Sequence, residues 1–206
     1  MKPFLEKRGY EAIVFHSKTK ILDELIADDR ICGIIDLTTF EIMIPISLHL
    51  PEEMAEDRLR IAGEKGLPQI IIPGGLDMFI FPGTKESVPP EYAERPLHVH
   101  GPDTVLVRTT GEEEATAARV LAKRANSAKG PVAIVIPLQG FSAVDKQGQH
   151  FYDPEADAAF VRVIKDTVKK KVDIIEVNAH INDVKFARKV VDTFDKLLKK
   201  GGTQHG

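Results

Sequence analysis

Val132-Ala133-Ile134-Val135-Ile136, then a polar loop, then Asp153-Pro154-Glu155-Ala156-Asp157-Ala158-Ala159-Phe160, then Asp173-Ile174-Ile175-Glu176-Val177 is the stretch that decides the fold. The first and last pieces are short apolar runs without strict alternation, the pattern of a strand covered on both faces. Between them Ala156, Ala159, Phe160, Val163, Ile164 and Val168 recur at helical spacing and make one apolar stripe. Asp153 is placed to cap that helix, Pro154 suits its first position, and Glu155 and Asp157 favour its positive end. Strand, helix over Pro154–Lys170 and strand form one β-α-β unit.

The same unit repeats outward. Further strand-like runs are Ala12–Phe15, Gly33–Leu37, Gln69–Ile72 and Thr104–Val107, with helical patterns at Thr19–Ala27, Glu52–Lys65 and Glu112–Ala128. A last helix puts Phe186, Val190, Phe194 and Leu197 on one face, with Asp183 placed to cap it. Pro82–Pro96 reads as a long ordered loop. The alternation predicts a doubly wound α/β fold with a mainly parallel sheet of five or six strands and helices on both faces. Residues 1–200 are expected to form a single α/β domain and 201–206 a flexible tail. Phe4, Leu5 and Tyr10 read as the end of an amphipathic helix that begins before Met1.

Bulk composition sets bounds on partners. The 206 residues are 43% hydrophobic and 29% charged, with a formal net charge of −3. That balance gives no general attraction to nucleic acid or to acidic membrane surfaces. Lys169-Lys170-Lys171 falls at a predicted helix end, where cations complement the dipole. Cys32 is the single cysteine, so no internal disulfide forms and a reducing, cytoplasmic location is expected. No apolar run approaches the length of a membrane span.

In open α/β sheets ligands bind beyond the carboxyl ends of the strands, so the residues after each run are the candidates. They include Thr38 and Thr39, Gly74, Gly75 and Asp77, Arg108 and Thr109, Gly140 and Ser142, and Asn178, His180 and Asp183. Hydroxyls, amides, glycines and carboxylates predict a polar, hydrogen-bonding ligand. Gly74-Gly75 brings backbone close to a ligand or closes a turn. Arg108 offers a guanidinium fork to an anion, while Thr110 with Glu113 reads as a capping box. Gly140-Phe141-Ser142-Ala143-Val144 lacks the second glycine of a nucleophile elbow. His180, between Asn178 and Asn182, is the leading acid–base residue, with Asp77 or Asp183 as its partner. Leu97-His98-Val99-His100 places two imidazoles on one side if extended, and with His180 or Asp77 they make a metal candidate. No second motif fixes that spacing, and no metal ligand is assigned.

The motifs Pro73-Gly74-Gly75-Leu76-Asp77-Met78, His98-Val99-His100, Arg108-Thr109-Thr110, Gly140-Phe141-Ser142-Ala143, Tyr152-Asp153-Pro154-Glu155-Ala156-Asp157 and Asn178-Ala179-His180-Ile181-Asn182-Asp183 occur in one order. Together they resemble the Tm-one-like ATP-binding family, which includes the tomato mosaic virus resistance protein, from about Phe4 to Phe194. The resemblance implies two α/β halves, of which this chain is similar to the second. It also implies ATP near their junction. Independently of the resemblance, the carboxylates at the strand ends call for a magnesium ion to bridge them to phosphate, and apolar surface left by a missing amino-terminal strand and helix predicts a partner, either a separate amino-terminal half or a second copy. One departure stands out. Family members follow the run ending in Phe15-His16 with a glycine-rich loop, whereas this chain reads Ser17-Lys18-Thr19-Lys20-Ile21. The change removes backbone donors that suit phosphate, leaving Lys18 and Thr19 to take their place. Three expectations stand side by side: a nucleotide- or phosphoester-binding half, an enzyme on a small polar metabolite, and an interaction module without chemistry.

Overall fold

The computed structural model describes residues 1–16, 20–51 and 59–202. In chain order the elements are α1 (Lys2–Glu6), α2 (Lys20–Ala27), β1 (Ile34–Thr38), α3 (Met43–Ser47), α4 (Arg60–Lys65), β2 (Gln69–Gly74), β3 (Met78–Pro82), β4 (Leu97–Gly101), β5 (Thr104–Arg108), α5 (Gly111–Ser127), β6 (Val132–Pro137), α6 (Pro154–Thr167), β7 (Val172–Val177) and α7 (Val184–Gly202). Residues 52–58, within the helix expected over Glu52–Lys65, and 203–206 of the expected tail lie outside the described residues, as do 17–19.

The order β1-β2-β6-β7 forms a four-stranded sheet whose pairings are all parallel. Its alternation sorts the core into two layers. Ile71, Ile134 and Ile136 pack with Ala117, Ala118 and Leu121 of α5 and Phe160 and Ile164 of α6. Ile70, Ile72, Ala133 and Val135 face the other way, against Phe186, Val190, Phe194 and Leu197 of α7, with Leu5 of α1 beside them. Each fully buried aliphatic or aromatic side chain contributes about 1.5–3 kcal/mol. With both faces covered, β2 and β6 are buried at every position.

The start signals read from the sequence are realised as bonds. Glu113 N–H donates to Thr110 Oγ1 at 3.3 Å, and Thr110 N–H donates to the Glu113 carboxylate at 2.8 Å. Ala156 N–H donates to Asp153 Oδ1 at 3.1 Å. A cap of this kind is worth about 1 kcal/mol. Helix α6 stops at Thr167 because Val168 turns extended, so the helix ends short of Lys170. The lysine run instead braces the turn into β7: Lys169 N–H donates to Asn126 Oδ1 and Lys171 Nζ to Ala128 O, just past the end of α5.

Three expectations change. The parallel sheet has four strands rather than five or six. Ala12–Phe15 takes no regular structure, and Ile13 and Val14 are exposed. Thr104–Val107 belongs to a second, antiparallel sheet of order β3-β5-β4. That sheet leaves β2 at Gly74-Gly75, and its inner face, Phe79, Phe81, Val105 and Val107, joins the α5 side of the core. Pro82–Pro96 is a connection with two short 3-10 turns, anchored by buried Tyr92, whose ring lies 5.4 Å from those of Phe79 and Phe81. None of the described helices is long and apolar enough to cross a membrane.

Candidate functional site

Because the four strands run parallel, the loops after β1, β2, β6 and β7 meet at one edge. The lower layer there is buried and polar. Ser142 Oγ donates to Asp77 Oδ2 at 2.6 Å. His180 Nε2 lies 2.8 Å from Ser142 O, and Asn182 N–H donates to His180 Nδ1 at 3.2 Å. With Nδ1 accepting, the ring proton sits on Nε2 and donates to the carbonyl. Both ring nitrogens of His180 are thereby committed. Asp77, between the two sheets, ties to the β6 loop, and His180 ties that loop to the end of β7.

Arg108, at the end of β5, lies beside this frame. Nε donates to Phe151 O at 2.7 Å; Nη1 reaches Asp77 O, Thr109 Oγ1 and Glu114 Oε1; Nη2 reaches Asp153 O and Asp157 Oδ1 at 2.9 Å. Six acceptors exhaust its five N–H donors. Expected to meet an anion, Arg108 meets the protein's own carboxylates and has no donor left for a ligand. Thr109 is also internal, its hydroxyl donating to Leu76 O at 2.8 Å.

One guanidinium is surrounded by more negative charge than it balances. Asp77, Glu114 and Asp145 are fully buried, and Asp77 Oδ1, Glu114 Oε2 and Asp145 Oδ1 have no hydrogen-bond partner among the described residues. Burial, with the charge of Asp145, lifts the Asp77 carboxyl to about 7 against the pull of Ser142 and Arg108. Burial raises Glu114 as well, opposed by Arg108. It raises Asp157, reinforced by Glu114 and Asp145. The Ser142 hydroxyl thus rests on a carboxyl that burial holds above its ordinary range.

The glycines at this edge serve close approach. A Cβ on Gly74 would sit 2.2 Å from Leu37 O, because β1 and β2 meet there, and Gly74 O accepts from Thr39 N–H. Gly75, at φ +77°, makes the corner into β3 and donates its N–H to Phe141 O at 3.1 Å. Thr39 is buried with its hydroxyl on Ile72 O. Asp183 O accepts from Ala187 N–H at the start of α7, while its carboxylate accepts from His180 N–H.

Above this frame lies an exposed rim of Thr38, Gln139 and Asn178. Gln139 Nε2 donates to Asn178 Oδ1 at 2.9 Å, and Lys185 Nζ donates to Asn178 O at 3.0 Å. Gln139 and Lys185 are the residues that reading the sequence missed. Lys185 is a lone charge at a helix start, and only its place in the loop after β7 distinguishes it.

A family model described as "Uncharacterised protein family (UPF0261) C-terminal domain" matches residues 1–198. The chain belongs to the UPF0261 family. A UPF0261 protein of Clostridium tetani is 38% identical over 203 residues, 97% of this chain and 50% of the relative. A UPF0261 protein of Brucella melitensis is 31% identical over 204 residues, 98% of this chain and 48% of the relative. The "ToMV resistance protein Tm-1(GCR237)" of Solanum lycopersicum is 33% identical over 207 residues, 97% of this chain and 27% of the relative. This UPF0261 chain thus spans about half the length of the bacterial relatives it matches.

The donors present on this UPF0261 domain can be tested against the groups the resemblance implies. The rim's ammonium, amides and hydroxyl suit phosphate oxygens and sugar hydroxyls, so the rim fits a phosphorylated ligand. The cation available is Lys185 rather than Arg108. For magnesium the fit is poorer: Asp77, Glu114 and Asp145 lie in the buried frame, the exposed Asp183 carboxylate accepts from His180 N–H, and among the described residues no group of three His, Cys, Asp or Glu is arranged to hold a metal.

Proposed function

We propose that this chain is the second half of a protein that binds a nucleotide such as ATP, or a related phosphoester, at the carboxyl edge of its four-stranded sheet. The observation that carries the reading is Lys185 on Asn178, which joins an exposed cation to two amides at the edge where the parallel strands end. An anion there meets a positive charge and hydrogen-bond donors together. The edge is open, with Leu37 and Leu138 exposed beside the polar groups. A ligand held by this surface alone keeps one side in water, so a second surface is needed to enclose it. We assign that cover to the amino-terminal half that the relatives carry, and magnesium to the ligand's phosphates rather than to an all-protein site. A cytoplasmic location suits the lone exposed Cys32.

The test is calorimetric titration with ATP, ADP, ribose 5-phosphate and inorganic phosphate, with and without magnesium. It is run on this chain alone and mixed with the amino-terminal half of the Clostridium tetani relative. Saturable binding of one of these, weakened about tenfold or more by Lys185→Ala or Asn178→Ala with an unchanged melting temperature, is the expected outcome. Binding by neither preparation, or variants that bind like the parent, overturns the reading.

One observation favours a second reading, catalysis on a small polar metabolite. Ser142 is only partly buried and its hydroxyl rests on Asp77, a carboxyl poised at about 7. Under that reading a metabolite screen finds a turnover that Ser142→Ala abolishes.

A further inference from the structure

We infer that His98 and His150, with His100 as the nearest third imidazole, form a binding site for a borderline divalent metal such as zinc. His98 Nδ1 and His150 Nε2 stand 3.2 Å apart, and the two rings stack with centroids 5.1 Å apart. Two nitrogens bound to one tetrahedral zinc stand about 3.3 Å apart, given zinc–nitrogen bonds of about 2.0–2.1 Å. The approach therefore serves either a proton shared between the rings or, with a small turn of both, a shared metal. His100 lies two residues along the same strand, at an irregularity in its pairing with β5, and its ring stands 6.2 Å from that of His98.

The sequence pairs these histidines with His180 or Asp77, but the structure leaves neither available. His180 has both nitrogens engaged and Asp77 is fully buried, whereas His150 is exposed and meets His98 directly. No group of three donors is already set to hold a metal among the described residues. The proposed site is therefore a two-imidazole bite on an exposed surface, completed by water and by His100.

Such a site has a structural consequence. His150 precedes Phe151, which is buried against the outer face of the small sheet with Met78 and Leu106, and whose carbonyl accepts from Arg108 Nε. The same connection between β6 and α6 carries Ser142 and Asp145 at its other end. A metal bridging His98 and His150 clamps that connection onto β4 and so supports the frame beneath the carboxyl edge.

The experiment is titration of zinc chloride into the purified, metal-stripped chain, read by calorimetry and by melting temperature. One saturable site and a rising melting temperature are expected, with affinity falling as the pH is lowered through the imidazole range. His98→Ala and His150→Ala should each weaken binding about tenfold or more, while His205→Ala, at the chain end, should leave it intact. His150 is exposed and His98 half-buried, so the melting temperature of each metal-free variant is compared with the parent to show that the fold is kept. The assignment is overturned by absence of saturable zinc binding, by undiminished binding in either His98→Ala or His150→Ala, or by loss of binding in His205→Ala.

Discussion

His180 Nε2–H donates to Ser142 O across 2.8 Å, binding the end of β7 to the loop after β6. Asn182 N–H occupies the other ring nitrogen, and the residue is 4% exposed. Truncating it leaves a carbonyl and an amide unpaired in a buried place. His180→Ala should therefore destabilise the fold by about 2 kcal/mol, whereas Asn178→Ala at the exposed rim should change stability by less than about 0.5 kcal/mol. Urea unfolding of the two variants checks this; equal effects would show that the bridge contributes nothing.

Arg108 holds Glu114 and Asp157 in a buried cluster. Removing the guanidinium takes away the cation that opposes the effect of burial on both carboxyls and leaves their hydrogen bonds unmade. Arg108→Met should cost about 3–5 kcal/mol, the range for breaking a buried pair from one side. Arg108→Lys should recover only part of it, because an ammonium cannot reach carboxylates on the two helices and three backbone carbonyls as one planar fork does. Chemical denaturation gives both values. A Lys variant as stable as the parent would show that charge alone matters.

The β6-α6-β7 unit was legible because local signals and tertiary burial agree there: a run buried on both faces, an Asp-Pro start and one stripe. Ala12–Phe15 has the composition of a strand, yet it joins neither sheet among the described residues, and pairing is not written in a single run. Strands β3 and β4 were missed for the converse reason. They are five residues each, β3 alternates buried and exposed only at its end, and β4 is nowhere fully buried and carries the polar His98 and His100. The strand-end rule located the edge, but sequence could not say which polar groups look inward. Arg108 is expected from the sequence to hold a ligand's anion; it holds Glu114 and Asp157 instead, which in sequence are ordinary acids in the first turn of a helix.

Stability should depend on pH in a defined sense. Burial raises Asp77 to about 7, against about 4 for an unfolded aspartate. The folded chain therefore binds the extra proton. This contribution is fully present below the unfolded value and is lost as pH climbs toward and through 7, by up to about 1.4 kcal/mol per pH unit for one proton. Glu114 and Asp157, raised by the same burial, extend the loss upward. Melting temperature should fall between about pH 5 and pH 8, and Asp77→Asn should flatten the fall. An unchanged pH profile in that variant would remove Asp77 from the account.

Gly140 and Gly148 both adopt positive φ, +117° and +87°, yet they differ in what surrounds them. A Cβ on Gly140 would sit 1.7 Å from Asp145 O and 3.1 Å from the His180 ring, while one on Gly148 meets nothing within 4 Å. Gly148→Ala should therefore cost only the backbone strain, about 1–2 kcal/mol. Gly140→Ala adds a clash with backbone that cannot swing aside, and should cost about 1–3 kcal/mol more. The clash also falls on the turn where Phe141 N–H donates to Asp145 Oδ2 and Ser142 is held against Asp77. Parallel urea titrations should rank Gly140→Ala well below Gly148→Ala, and hydrogen exchange should show the loss of protection concentrated at Phe141. Equal destabilisation would mean that the turn can open around a methyl group, and that the packing of residues 140–145 does not set the positions of Ser142 and Asp77.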